Sequence, residues 1–246
     1  MTRTSPAERA LGALLFVAVV AVAAAPSPAG GARTTDELLS NERTVSYWSV
    51  AMVRTAIRSS PSEDASAIST LRLTTELHAP EVYLALKRHL ADDGRSWLEV
   101  RVPGRPNGQV GWVPEDSLGE LEVTYASLVI DLRHRRAKLF ENGSPIWSAA
   151  VGIGKRGTPT PRGHFYVRER LRLGHKGGPY GSFAFGTSAY SNRLTDWPGG
   201  GVIGIHGTNQ PRLIPGRISH GCVRLRNGDV GDLRRLMGLG TPVWIR

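Results

Sequence analysis

A single cysteine, Cys222, occurs in 246 residues, which excludes any intramolecular disulfide. No Cys-x-x-Cys or His-x-x-x-His pair accompanies it, so the ligands of a closed four-coordinate zinc site are missing. Aromatic residues make up only 7% of the chain, and no basic run is interleaved with them, which argues against a nucleic-acid partner. Internal repeats and low-complexity tracts are absent. Acidic residues are scarce beside basic ones, 21 against 31, for a formal charge of +10. With 29 glycines and 16 prolines, the composition favours a turn-rich, strand-rich build over a helical bundle.

Only one long apolar run exists, "ALGALLFVAVVAVAAA" (Ala10–Ala25). It follows Arg3 and Arg9 and is shorter than the ~20 apolar residues that a spanning helix needs. The expectation is an export signal over residues 1–32, with cleavage near Ala32; an uncleaved N-terminal anchor is the alternative. No cysteine closes the run, so a lipoprotein anchor is not expected, and membrane contact is confined to this segment. An exported, positively charged chain suits an anionic polymer of the cell envelope, periplasm or wall.

Residues 33–44 read as a linker. Residues 45–119 alternate short strand-like pieces with turns, among them "VSYWSVAMV", "WLEVRV" and "QVGWVP", with "PGRPNGQ" as a dense turn signal. Trp97, Val100, Val102, Val110, Trp112 and Val113 are its candidate core, and Val82–Gly94 reads as an insertion. Its opening "AIRSSPS" and close "GWVPEDSL" resemble a bacterial SH3-like domain. A boundary falls at Gly119–Ala126, and residues 126–246 form a second, mostly β domain. There Asn142-Gly143 signals a type I′ hairpin, "GTPTPRGHF" a rigid loop, and Asn227–Gly240 a capped, glycine-stopped helix.

The chemistry concentrates in "IGIHGTNQPRLIPGRISHGCVRL" (203–225). A lone exported thiol is an inert core group, an intermolecular bridge or a nucleophile. His206 and His220 are both placed to exchange its proton, and spacing alone does not choose between them. Gly207 and Gly221 clear side chains from the reacting positions, and backbone N–H groups at Gly221 and Cys222 are candidates for an oxyanion hole. Arg224 offers a guanidinium for a carboxylate, and Ser219 can orient a histidine or a backbone group.

The stretch from His206-Gly207 to Ser219-His220-Gly221-Cys222-Val223-Arg224 resembles the signature of the L,D-transpeptidases, and "ENGSPIWSAAVGIGKRGTPTPRGHF" resembles their early hairpin and loop. The resemblance implies a mostly β fold, a β-sandwich or barrel catalytic domain with one C-terminal-side helix, preceded by the small SH3-like β-barrel. It implies peptidoglycan stem peptides as substrate, Cys222 as nucleophile, His206 as base with its ring oriented at Gly207, and Ser219, His220, Gly221 and Arg224 shaping the site. It also implies acylation by carbapenems, with no metal and no organic cofactor. An L,D-carboxypeptidase or a non-catalytic wall-binding protein are the other readings. Phe183, Tyr190 and Trp197, in a variable stretch, line the stem-peptide groove or sit in the core.

Overall fold

Alternating apolar and polar residues give strands with one buried face, and strands are the dominant regular element of the described residues. The computed structural model describes residues 35–174, 178–196 and 199–246. The expected export signal and Trp197 lie outside the described residues. The protein is mostly β, and among the described residues its only α-helix is Asn227–Leu236.

The strands form two sheets, and the change from one to the other falls between Thr124 and Ala126. In the first sheet every strand pairs antiparallel with its neighbours. Its core gathers Ile57, Leu71, Tyr83, Leu98, Val100, Val102 and Val113, and Trp97 is buried as well. Val110 and Trp112 depart from expectation: Val110 is exposed and Trp112 half-buried. The reason is register, since in Val110–Pro114 alternate residues face opposite sides and Gly111 and Val113 take the inner one. The expected insertion at Val82–Gly94 is instead a central nine-residue strand, Val82–Leu90. Part of the expected linker is also a strand: Thr35–Leu38 pairs with Lys87–Leu90.

The second sheet has ten strands. Its hairpin turns at Asn142 and Gly143, with φ of 49° and 79°, the left-handed pair that a type I′ turn requires. The strand Pro242–Ile245 inserts between Ala126–Asp131 and Gly163–Arg172, so the end of the chain sits in the middle of the sheet. Next come Phe183–Tyr190, Val202–His206 and Val223–Arg224. The helix buries Val230 and Leu233 in the cluster that contains Phe183 and Phe185, each worth about 1.5–3 kcal/mol of apolar burial. Two details differ from expectation. Its N-cap residue, Arg226, makes no side-chain capping bond, and the helix stops at Leu236, ahead of the glycines, where Met237 turns extended and buries its side chain.

The described residues pack as one compact unit, and the two sheets are joined through buried charge. Arg168 is almost wholly enclosed and bonds through Nε to Glu81 at 2.7 Å, with a second, very short contact between Nη2 and the same carboxylate. Glu76 and the Tyr190 hydroxyl complete the cluster. Nearby, Tyr166 donates its hydroxyl to the Val82 carbonyl at 2.9 Å. Burying a charge is unfavourable unless it is paired and hydrogen-bonded, and the pairing here spans the sheets.

Candidate active site

Cys222 lies just before the short strand Val223–Arg224, which runs parallel to Val202–His206. Parallel pairing places His206 opposite Arg224 and Ile205 opposite Val223, so the fifteen intervening residues, which include the short strand Gly216–Ser219, bring the thiol beside the end of the histidine strand. The Gly204 N–H donates to Cys222 Sγ at 3.4 Å. A β-carbon on Gly204 would lie 3.7 Å from His206 Cδ2 and 3.9 Å from Cys222 Sγ. Ring and sulfur therefore flank one glycine, with no side chain between them at that point.

His206 is buried, and its Nδ1 stands 2.6 Å from the Gly207 carbonyl oxygen. A carbonyl only accepts, so Nδ1 carries the proton and Nε2 keeps its lone pair. Burial holds the imidazole pKa down at about 4, against the opposing Gly207 bond and with help from Arg224. Burial also pushes the Cys222 thiol up, while the Gly204 N–H and Arg224 pull it back. Both groups are consequently uncharged at neutral pH. A neutral thiol beside a neutral ring with a free lone pair can pass its proton to that ring, and the two do not rest as a preformed ion pair.

The loop carrying the thiol is fixed from two sides. Ser219 Oγ donates to the Cys222 carbonyl at 2.5 Å and accepts the Gly221 N–H at 3.2 Å. That second bond occupies a donor considered for an oxyanion hole, so the Gly221 N–H braces the loop here. Gly221 adopts a φ of 124°, open to glycine and strained for other residues. Thr160, which the sequence did not single out, accepts the Gly154 N–H at 2.9 Å and donates to the Gly221 carbonyl at 2.7 Å. It ties the proline-rich loop to the thiol loop; one threonine among prolines carries no sequence signal of that role.

Two adjoining clefts of about 270 Å³ each meet at Cys222 and His206. Exposed His220, Ser219 and Arg224 line the first, and the Nε of Arg224 is buried without a hydrogen-bond partner. Tyr180 borders both clefts and sets its ring edge-on to His206 at 4.8 Å between centroids. It belongs to the variable stretch, yet the aromatics expected to line the groove were others. Phe183 is buried in the core against Phe185, and Tyr190 is buried with its hydroxyl in the Arg168 cluster. Their depth in the sheet removes them from the cleft floor. The first sheet also reaches the site. Arg105, in the "PGRPNGQ" turn, donates to the carbonyls of Ser191 and Gly200 at 2.8 Å, holding the segment that walls the first cleft.

Residues 126–245 match the YkuD family model, the L,D-transpeptidase catalytic domain. All the site residues but those contributed by the first sheet fall inside the matched span. The chain is 32% identical to the YkuD protein of Bacillus licheniformis and 37% identical to that of Bacillus subtilis (strain 168), each over 118 residues. Those matches cover 48% of this chain and 64% of each relative, so the chain spans less than two thirds of their length. A mutant L,D-transpeptidase of Enterococcus faecium, known from a crystal structure, is 25% identical over 49% of each chain, with a TM-score of 0.38.

Proposed function

We propose that the protein is an exported L,D-transpeptidase that cross-links peptidoglycan stem peptides through a thioester on Cys222. The carrying observation is the shared approach of His206 and the Cys222 sulfur to Gly204, with the Nδ1 proton committed to the Gly207 carbonyl.

In this reading the Cys222 sulfur attacks the carbonyl that follows the third residue of a tetrapeptide stem. Its proton passes to Nε2 of His206, and the imidazolium returns it to the departing amine of the terminal D-alanine. The C–N bond breaks as the C–S bond forms, leaving a thioester. An amine on a neighbouring stem then attacks that carbonyl, gives its proton to His206 and expels the sulfur, which recovers the proton. Arg224 gives the first cleft a positive wall suited to the stem's carboxylates. The first sheet supports the cleft through Arg105, while the excess of positive charge lies on the half of the chain that carries Cys222.

Mass spectrometry of the protein after exposure to a carbapenem tests the reading. A covalent adduct on the native chain that Cys222→Ala abolishes is the expected result, and a folded native protein that stays unmodified would refute it. Products from tetrapeptide stems separate transfer from hydrolysis, because only transfer yields a dimer when an acceptor amine is supplied.

A further inference from the structure

The second cleft differs in charge from the first. Glu169 and Glu76 are among its lining residues, and the only basic side chain of its described lining is His206, which burial keeps neutral. Glu76 is taken up by Arg168, Arg72 and the Tyr190 hydroxyl. Glu169 is different. It is only 6% exposed, and its Oε1 is buried with no hydrogen-bond partner.

The backbone explains how it comes to be there. Between Val167 and Glu169 the pairing with Phe183–Tyr190 slips by one residue, so Arg168 and Glu169 occupy the space of one. Such bulges re-aim side chains beside sites. Arg168 is committed to Glu81, which leaves its neighbour's carboxylate without that counter-ion. Glu169 then pairs across to Gly186, and Gly186 to Gly204. A β-carbon on Gly186 would stand 2.8 Å from Glu169 Oε2, so the carboxylate leans over a position that only glycine leaves clear. Two glycines in one cross-strand row thus lie between the carboxylate and the sulfur that Gly204 contacts. The span is two strand spacings, roughly 10 Å, which a side chain of lysine length covers once a hydrogen bond of about 2.8 Å at the carboxylate and an approach of about 3 Å at the sulfur are added.

A buried carboxylate oxygen without a hydrogen-bond partner leaves an acceptor unused, and a bound ammonium group supplies its donor. Resting on the proposed acyl-transfer reading, we infer that this cleft is a subsite for a protonated primary amine on the donor peptide's third side chain, with Glu169 as its counter-ion. The donor is favoured over the acceptor because the acceptor's attacking amine must arrive uncharged at the thioester carbonyl, not at a carboxylate across the trough.

The test compares two tetrapeptide donors on the full chain, with lysine or its uncharged analogue norleucine at position three. Release of D-alanine is followed in a single turnover without acceptor. The native protein should favour the lysine donor at least tenfold, and in Glu169→Gln the ratio should fall to near one. Gly186→Ala, whose methyl displaces the carboxylate, should reduce the ratio as well. The unfolding midpoint of Glu169→Gln should rise, whereas a carboxylate serving a structural ion pair would make it drop. Equal rates for the two native reactions, alongside normal acylation by a penem without a cationic substituent, would overturn the subsite alone. A preference seen only when an acceptor is added would overturn its assignment to the donor. No penem adduct on the native protein would overturn the activity itself and the subsite with it.

Discussion

Replacing Gly204 by alanine separates catalysis from folding. Gly204 lies in the strand Val202–His206 and its φ is outside the left-handed region, so alanine is allowed there. The new methyl would lie 3.5 Å from the Phe185 carbonyl oxygen, 3.7 Å from His206 Cδ2 and 3.9 Å from Cys222 Sγ. These are ordinary van der Waals contacts, and alanine restricts the unfolded chain more than glycine, so stability should change by no more than about 1 kcal/mol in either direction. The reacting carbonyl, however, must come within about 3–3.5 Å of the sulfur while the ring stays in reach of the proton. A methyl lodged between them forces a misplacement of order 1 Å, for which a loss of about 100-fold is expected, or about 2.7 kcal/mol of barrier. Stopped-flow fluorescence of carbapenem acylation, paired with a urea melt, reads both quantities. Acylation of Gly204→Ala at the native rate would show that the substrate carbonyl does not use this gap, and the proposed geometry would be wrong.

His206→Ala should lower the acylation rate far more than His220→Ala, since His206 is buried on the sulfur's side and His220 is exposed; the reverse order in the same assay would reassign the base. The His206 ring carries a pKa of about 4 when folded against 6.5 for the ordinary group. The unfolded chain therefore binds more protons between those values, and stability is lost as the pH falls from 6.5 towards 4, by about 3 kcal/mol in full. Urea melts across that window should show a slope that His206→Gln loses. Glu81→Gln leaves the Arg168 guanidinium enclosed without its principal counter-ion, at a cost of about 3–5 kcal/mol, visible as a large drop in the unfolding midpoint. Thr160→Val strips partners from the Gly154 N–H and the Gly221 carbonyl; a destabilisation of about 2 kcal/mol or more should come with slower acylation as the thiol loop loosens.

Much of the fold was legible in period and punctuation. Asn142-Gly143 named its own hairpin because few residue pairs accept two left-handed positions, and the helix at 227–236 declared itself through Val230 and Leu233. Register was less visible. Nothing in "QVGWVP" says which alternate set faces inward, and Val110 and Trp112 went outward for that reason. Val82–Leu90 combined a buried apolar start with a charged end, a pattern that reads as an insertion until its two neighbours in the sheet are known. At the site, the signature around Cys222 drew attention to side chains close to it in sequence. Thr160, Tyr180, Arg105 and Glu169 arrive through tertiary pairing, and the bulge that aims Glu169 leaves no mark in composition or spacing.

The Arg168 cluster constrains how such a protein can be recombined. Its guanidinium sits on a strand of one sheet, and its principal carboxylates, Glu76 and Glu81, on the segment that leads into the strand Val82–Leu90 of the other. Moving residues 126–246 alone onto a foreign N-terminal partner would carry along a bare cation and leave two acids behind. A graft that keeps the pairing intact has to carry both sides of that ionic lock together.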